Sequence, residues 1–493
     1  MSTSPVTADV EALRLMRAGY LAEALRLAEQ AVAGKTVCSP AHGVLAAVLL
    51  KLGRTDEADT VIESAAQCAP GIAEAYDALA QVSLALGRHD RANTLYRRAA
   101  QLEPNVARHW HRLASSERAF GRLAQAEAAC DQAIALDARE YRSYLLRSEL
   151  RTQTADANHV EQLRRELARP DLQDRARVLL GYALGKELDD LGQHEEAFKC
   201  FAMAASTRRR GLTYDVALDE HKLRRIIEAF PREPCRAGSG RVDSRRFVFI
   251  VGLPRSGTTL IERILTGLPG ARSNGETDHF ARTLLTSPPA RRGTDPGALD
   301  VFARAAAVDW DAVAAGYARV ADTGTAHELI IEKQPMNYLY LGAIHRALPQ
   351  ARLVLVSRSP LDSCFAMYRT LFGEAYQFTY DLQDLARYYA AYCRLIEHWR
   401  EAFGESIHEV HYEELVSDPA RTGAALARAC GLQWHDCAVD VEKNAAVCLT
   451  QSAAQVRRPI YRSSTGHWRH YRTHLEPLIE ALRRYGVTLT ELD

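Results

Sequence analysis

A glycine-containing loop between a predicted strand and a predicted helix is the segment with the clearest chemistry. The run FVFIVGLPRSGTTLIERIL starts at Phe247 and predicts a buried strand, a turn and an amphipathic helix from about Thr258. Backbone N–H groups at such a turn and helix N-terminus bind anions, and glycines let the backbone approach the ligand closely. The candidate anion-binding residues are Pro254, Arg255, Ser256, Gly257, Thr258 and Thr259.

The spacing of this loop is similar to the nucleotide P-loop GxxxxGK[ST], with one departure. Thr258 stands at the position of the P-loop lysine, and the basic residue is instead Arg255, inside the loop. A kinase or ATPase uses that lysine on the nucleotide phosphates, so the departure argues against both activities. The anion bound by this loop is therefore expected to differ from the nucleotide phosphates that a kinase or ATPase binds.

PRSGTTL resembles the 5′-phosphosulfate loop of the sulfotransferases that use 3′-phosphoadenosine 5′-phosphosulfate (PAPS). The similarity covers about residues 245 to 475, and this half also looks like tyrosylprotein sulfotransferase. The resemblance implies transfer of a sulfuryl group from PAPS to a hydroxyl acceptor, with a peptide or protein tyrosine as one candidate, and release of 3′-phosphoadenosine 5′-phosphate (PAP). A metal is not expected, because sulfuryl transfer moves a group of little charge.

Three residues are implied as catalytic by this resemblance. Glu276, in SNGETDHF, falls on the catalytic glutamate of the tyrosylprotein enzymes and would take the acceptor's proton, with His279 as the alternative base. Lys333 matches the lysine of the KxP element and would stabilise charge on the oxygen that leaves sulfur. Ser452, in the SxxQV element, would bind the donor near that oxygen.

The remaining matches concern the nucleotide part of the donor. The resemblance implies that Arg358 binds the 3′-phosphate after a buried strand, as suits the forked guanidinium. Tyr412, in a YExL element, would lie near the adenosine. Arg462, in YRSSTGHW, is a candidate second 3′-phosphate ligand.

A 34-residue repeat fills the N-terminal half. Glycines recur at Gly19, Gly53, Gly87 and Gly121, and alanines recur seven residues before, five after and twelve after each of them. Small alanines allow two helices to pack closely, and each glycine would end the first helix of a pair in a left-handed turn. The pattern resembles the tetratricopeptide (TPR) repeat and returns around Gly192, which leaves 140–180 as an irregular unit. The nearest resemblance of the whole chain is therefore the bacterial TPR-sulfotransferases.

The predicted architecture is multidomain: an all-α TPR solenoid, then an α/β P-loop-like sulfotransferase domain with a central parallel sheet. Residues 1–215 form the repeat array, 216–246 a connecting helix and linker, and 247–493 the sulfotransferase domain. The linker is indicated by the Pro, Gly, Ser and Arg content of 231–246. Strands at 247–251 and 353–356 with helices between them predict the parallel sheet.

Two departures from the family pattern support an alternative function. Ala366 stands where the family has a serine eight residues after the arginine, and Ser359 replaces the usual Asp or Asn. Ser363 is close to the serine position but out of register. A TPR scaffold whose second domain binds nucleotide without transferring sulfate is therefore the alternative, although Glu276 and Lys333 argue against it.

Composition sets the remaining expectations. Lys plus Arg equals Asp plus Glu at 62 each, which gives no bulk attraction to nucleic acid. No apolar run reaches about 18 residues, so a membrane span is not expected. The cysteines form no CxxC pair, and we expect a cytoplasmic protein. One expected partner is a peptide or protein acceptor docked on the concave face of the repeats. The alternative is that the array only packs against the second domain or mediates self-association. The oligomeric state is left open.

Overall fold

The structure is a computed structural model that describes residues 7–68, 71–232, 238–240, 242–289, 300–322 and 329–492. The chain divides into two compact units, Met1–Thr152 and Gln153–Asp493. The second unit thus includes 153–215, which we assigned to the repeat array from the sequence. That assignment, and the linker at 231–246, part of which lies outside the described residues, stay predictions.

The first unit is built from antiparallel helix pairs. Helices α1 to α9 cover Ala8–Ala18, Leu21–Val32, Pro40–Lys51, Thr55–Gln67, Ala73–Ala85, His89–Leu102, Ala107–Ala119, Leu123–Leu136 and Tyr141–Glu149. Each repeat glycine lies between the two helices of a pair and has a left-handed φ: Gly19 89°, Gly53 75°, Gly87 72° and Gly121 75°. The predicted helical repeat is therefore confirmed. Glycine is favoured at these turns because the left-handed backbone conformation is sterically costly for a residue with a Cβ.

The repeat alanines lie where the helices touch. Those seven residues before and five residues after the glycines are fully buried: Ala12, Ala46, Ala80, Ala114, Ala24, Ala58, Ala92 and Ala126. Because alanine adds only a methyl group, the helix axes can approach closely at these points.

The second unit begins with more helices. Helices α10 to α13 cover Val160–Leu167, Asp174–Asp190, His194–Arg210 and Val216–Ala229. Helices α11 and α12 form a hairpin around Gly192, whose φ is 73°, and bury Ala197 and Ala204 completely, as the recurring repeat pattern predicts. The short helix α10 and the loops around it correspond to the irregular unit.

The α/β part of the second unit follows. Strands β1 to β5 are Phe247–Gly252, Ala271–Ser273, Leu329–Lys333, Arg352–Ser357 and Ile407–His411. Helices α14 to α23 cover Thr258–Thr266, His279–Thr286, Val301–Ala306, Trp310–Ala321, Leu341–Ala347, Pro360–Tyr368, Leu382–Phe403, Tyr412–Ser417, Pro419–Ala429 and Arg472–Arg484. Among the described residues, no helix combines the length and the apolar character that a bilayer crossing requires.

The five strands pair in parallel in the order β2-β3-β1-β4-β5, which confirms the predicted sheet. Every residue of β1 is buried, because helices cover both faces of a parallel sheet. On one face Val248 and Ile250 pack with Ile261 and Ile264 of α14. On the other, Phe249 packs edge-to-face on Phe280, with 5.8 Å between ring centroids. The central strand is thereby fixed from both sides.

Candidate functional site

The carboxyl end of every strand delivers one of the predicted site groups. The anion loop follows β1, Glu276 follows β2, Lys333 is the last residue of β3, Arg358 follows β4 and Tyr412 follows β5. Because the strands are parallel, these five ends lie along one edge of the sheet. Strands β2 and β3 lie on one side of β1, and β4 and β5 lie on the other, so β1 is at a topological switch point of the sheet. Ligands of open α/β sheets bind beside such a point.

The loop between β1 and α14 has the backbone of an anion cradle. Gly252 has φ 155°, Gly257 has φ 106°, and Arg255 has the left-handed φ of 68°. A Cβ on Gly257 would lie 2.6 Å from Cδ2 of Tyr412, so only glycine allows the tyrosine ring against the loop. The Ser256 side chain is buried, and its Oγ has no hydrogen-bond partner among the described residues, as expected of a group that awaits a ligand.

Arg255 connects this loop to the SxxQV element. Its Nη1 donates to Oγ of Ser452 at 2.5 Å, and its Nη2 donates to Oε1 of Gln455 at 2.6 Å. Thr259, in the first turn of α14, lies 3.4 Å from the Thr450 hydroxyl. The structure therefore brings Arg255 and Ser452 together. Gln455 belongs to the same sequence element, and its contact with Arg255 was not predicted.

Glu276, which follows β2, and Lys333, at the end of β3, form an ion pair. Nζ of Lys333 donates to Oε1 of Glu276 at 2.5 Å and lies 3.7 Å from Oε2 of Glu262. Lys333 is fully buried, whereas the Glu276 side chain is 40% exposed and so open to an acceptor. Glu262 in turn accepts from Oγ of Ser273 at 2.5 Å. Sequence analysis missed Glu262, although it lies one helical turn beyond Thr258.

A buried carboxyl group lies next to Lys333 in β3. Glu332 precedes Lys333 in β3 and accepts a hydrogen bond from Nδ2 of Asn337 at 2.8 Å. Burial raises the pKa of Glu332 to about 7, and the Asn337 contact offsets only part of that effect. His279, the alternative base, begins α15, and burial lowers its pKa below the usual value. Its Nδ1 is buried with no hydrogen-bond partner among the described residues.

Arg358 and Tyr412 form the opposite side of the loop. Arg358 donates from Nη1 to the Arg255 carbonyl at 3.0 Å and from Nη2 to the Ser464 carbonyl at 2.5 Å. Its guanidinium lies 4.8 Å from the centre of the Tyr412 ring, and the Tyr412 hydroxyl is 2.6 Å from Oγ of Ser464. Thus the loop after β1, the strand ends and the C-terminal YRSSTGHW segment meet at one place.

A cavity of about 140 Å³ adjoins these residues and is lined by Ser256, Arg358 and Ser363, with Tyr389 and Tyr392 of α20 among the other walls. It is smaller than the ~300–1,000 Å³ of typical ligand pockets, so it matches one group of a ligand rather than a whole nucleotide.

The hydroxyl of Ser363 lies near the position where the family pattern has a serine and this chain has Ala366. The two residues lie three positions apart on α19, on the same side of the helix. Oγ of Ser363 donates to the Arg358 carbonyl at 3.2 Å and borders the cavity, whereas Ala366 is buried. A serine hydroxyl is therefore present next to Arg358, from a position one turn earlier than the pattern expects.

Arg462 is the predicted site residue that the structure places elsewhere. Its Nε donates to the Val416 carbonyl at 3.2 Å, and its Nη2 donates to the Ser417 carbonyl. The guanidinium thus caps the end of α21 (Tyr412–Ser417), because backbone carbonyls at a helix C-terminus attract cations. To bind a phosphate it would have to leave these contacts.

Tyr376 is a further residue near the site that the sequence did not indicate. Among the described residues, it and Arg255 are the two non-glycine residues with a left-handed backbone, and such conformations cluster at functional sites. Burial raises the pKa of Tyr376, and the negative charge of Glu276 raises it further. Its ring packs on Phe372 with 4.9 Å between centroids.

Comparison with known proteins finds similarity to two families. Residues 248–436 match the family model described as "Sulfotransferase family", and residues 73–116 match a model for the tetratricopeptide repeat. An uncharacterized protein of Aquifex aeolicus (strain VF5) is 29% identical over 347 residues, which are 68% of this chain and 45% of that protein. Protein-tyrosine sulfotransferase 1 of Danio rerio is 26% identical over 236 residues, which are 45% of this chain and 65% of that protein. The chain therefore spans less than two thirds of either relative.

Solved structures of both kinds are also similar. The sulfotransferase domain of the Synechococcus PCC 7002 olefin synthase is 18% identical, with a TM-score of 0.35 over 53% of this chain and 99% of that domain. YrrB, a TPR protein, is 15% identical, with a TM-score of 0.26 over 40% of this chain and 91% of that one. The chain is thus similar to the sulfotransferase family over residues 248–436 and to the tetratricopeptide repeats over residues 73–116.

Proposed function

We propose that the chain transfers a sulfuryl group from PAPS to a hydroxyl acceptor and releases PAP. The observation that carries this proposal is the contact of Lys333 with Glu276 at 2.5 Å, at the same sheet edge as the anion loop. A fixed cation and a half-exposed carboxylate are the two groups that sulfuryl transfer needs from a protein.

The residues around the loop fit the anionic end of this donor. Backbone N–H groups of 252–259 and the Arg255 guanidinium would hold the phosphosulfate, and the unpartnered Ser256 hydroxyl would donate to it. Arg358, with Ser363 beside it, would hold the 3′-phosphate in the adjoining cavity. Tyr412 would cover the adenosine end, and Arg462 would contribute only after leaving the carbonyls of α21.

The proposed chemistry conserves charge and atoms. Glu276 removes the proton of the acceptor hydroxyl, whose oxygen forms a bond to sulfur. The bond between sulfur and the bridging phosphate oxygen breaks, and its electron pair stays on that oxygen. Lys333 and Ser452 stabilise the resulting negative charge, and an electrostatic contribution of this kind typically amounts to ~10²–10³ in rate. The products are a sulfate ester and PAP.

The proposed acceptor is a tyrosine of a peptide or protein. Two observations support this choice: the similarity to a protein-tyrosine sulfotransferase, and the aromatic pair Phe372 and Tyr376, since the negative charge of Glu276 adds to the effect of burial in raising the pKa of Tyr376. Aromatic walls suit a phenol ring. The concave face of the TPR repeats would be a docking surface for peptide or protein acceptors, since such arrays commonly bind peptides.

The test uses the full chain, PAPS with a radioactive sulfate, and tyrosine-containing peptides or a cell lysate. We expect labelled product from the wild type, and a loss of ~10²–10⁴ in turnover for Glu276→Gln with unchanged affinity for PAP. Glu405→Gln, at an exposed glutamate, is the matched control and should behave as wild type. Normal turnover in Glu276→Gln would disprove its role, and PAP binding without transfer to any acceptor would disprove the enzymatic proposal.

A further inference from the structure

The helical hairpin α11–α12 contributes a buried carboxylate to the α/β part of the second unit. Asp189, near the end of α11, has a side chain that is only 7% exposed. Oδ1 accepts from Nε2 of His467 at 2.9 Å and from the Tyr471 hydroxyl, and Oδ2 accepts from Nη1 of Arg369. Burial alone would raise the pKa of Asp189, but these partners outweigh it and hold the pKa well below its usual value.

Two of the three partners of Asp189, His467 and Arg369, belong to loops that border the proposed site. His467 lies in the loop 461–468, whose Ser464 contacts both Arg358 and Tyr412. Arg369 begins the loop 369–376, whose Leu371 carbonyl accepts from Nε2 of Gln451, next to Ser452, at 3.4 Å. The loop ends at Tyr376, whose pKa is raised by burial and further by the negative charge of Glu276. A single carboxylate therefore connects the loop on the donor side with the loop on the acceptor side.

The second helix of the hairpin holds the acceptor-side loop at another point. Nη2 of Arg208, in α12, donates to the Gly373 carbonyl at 2.7 Å and to Oε1 of Glu374 at 2.8 Å. In α11, the hydroxyl of Tyr182 donates to the Tyr368 carbonyl at 3.3 Å, just before this loop begins. The hairpin thus makes contact just before the loop 369–376, at Arg369 where the loop begins, and at Gly373 and Glu374 near its middle.

We propose that the hairpin α11–α12 is a working part of the active site and that Asp189 is its positioning residue. Asp189 touches no predicted site residue. It acts through Arg369 and His467, which fix the two loops in the arrangement that the donor and the acceptor require. The inference rests on the proposed function, and it assigns to a repeat-like hairpin a role in the reaction rather than in partner binding alone.

The test compares two neighbouring aspartates. Asp189→Asn keeps the shape of the side chain but removes the charge that Arg369 and His467 contact. Asp190→Asn is the matched control, because Asp190 pairs with Lys186 and the Gln153 N–H instead of with either loop. The measurements are the dissociation constant for PAP by calorimetry, the melting temperature, and, for sulfate transfer, kcat and KM separately.

For Asp189→Asn we expect at least tenfold weaker PAP binding and a fall of ~10²-fold in kcat/KM, since small displacements of positioning groups cost rates of this order. Asp190→Asn should bind PAP as wild type does. Because Asp189→Asn can lower stability, His467→Gln serves as a second variant that removes one loop contact at a residue whose side chain is 18% exposed. It should also weaken PAP binding, by less than Asp189→Asn does.

A double-mutant cycle of Asp189→Asn with Arg369→Gln adds a readout that a purely structural role would not give. The two changes should be non-additive in PAP affinity, since they remove the same contact. Equal PAP affinity in Asp189→Asn, His467→Gln and wild type would overturn the inference while leaving the proposed function intact. A wild-type chain that binds no PAP would overturn both.

Discussion

At the scale of single residues, Lys333 holds a charge in a place where water cannot reach it. A buried ammonium is costly unless it is paired, and Glu276 and Glu262 provide the pairing at 2.5 and 3.7 Å. Because its position is fixed before any ligand arrives, Lys333 needs no reorganisation when charge develops on the leaving oxygen. The same contact orients Glu276, whose other side remains open to an acceptor.

Replacement of Lys333 by methionine removes this charge and keeps the apolar stem. We expect Lys333→Met to lower kcat for sulfate transfer by ~10²–10³, with a small effect on PAP affinity, since PAP lacks the sulfuryl group that Lys333 serves. Lys199→Met, at an exposed ion pair with Glu195 in α12, is the control. Single-turnover kinetics would measure both variants, and equal rates would rule out the assigned role of Lys333.

At the scale of elements, the strands and turns differ in how well they can be predicted from the local sequence. The repeat glycines predict the turns because a left-handed residue is a local requirement. Strand β1 is predictable because both faces are buried and the apolar run is continuous. Strand β5, IHEVH, is only partly buried and has no such run. The order β2-β3-β1-β4-β5 depends on pairing between distant segments, which no local pattern encodes.

The same distinction applies to the site. The anion loop was predictable because strand, loop and helix follow one another directly in the chain. Glu262, Tyr376 and Asp189 were not, because each reaches the site or its loops through packing between elements remote in sequence. Arg462 illustrates the converse case: its motif matches, yet the side chain contacts backbone carbonyls of α21 instead of the Arg358 region.

The turn at Gly257 allows a prediction at this scale. Gly257→Ala places a Cβ at a left-handed φ of 106° and 2.6 Å from the Tyr412 ring. We expect at least tenfold weaker PAP binding and a loss of more than about 1 kcal/mol in the free energy of unfolding. Gly211→Ala is the control, because Gly211 has a φ of −82° and its added Cβ would have no contact closer than 3.5 Å. Calorimetry and urea unfolding would decide between these outcomes.

At the scale of the whole molecule, Glu332 makes stability depend on pH. Burial raises its pKa to about 7 from an ordinary value near 4.5. Between these values the native state binds more protons than the unfolded state, so this residue's contribution to stability is full below about pH 4.5 and is lost as the pH rises through 7. The size of the effect is at most roughly 3 kcal/mol.

Glu332→Gln tests this directly, because glutamine can still accept from Asn337 but cannot ionise. We expect the variant to melt several degrees higher than wild type at pH 8, and at nearly the same temperature at pH 5. Scanning calorimetry at both pH values measures the difference. Melting temperatures that differ equally at the two pH values would show that Glu332 does not titrate in this range.

The strand order also governs how the chain is made. Val248 of β1 pairs with Arg352 of β4, about 100 residues later, and Phe247 pairs with Ile330 of β3. At ~5–20 residues per second of synthesis, the wholly apolar β1 waits roughly 5–20 s on the ribosome for its partners. During that interval it exposes two unpaired edges, so we expect slower translation to increase aggregation of newly made chains and chaperones to reduce it.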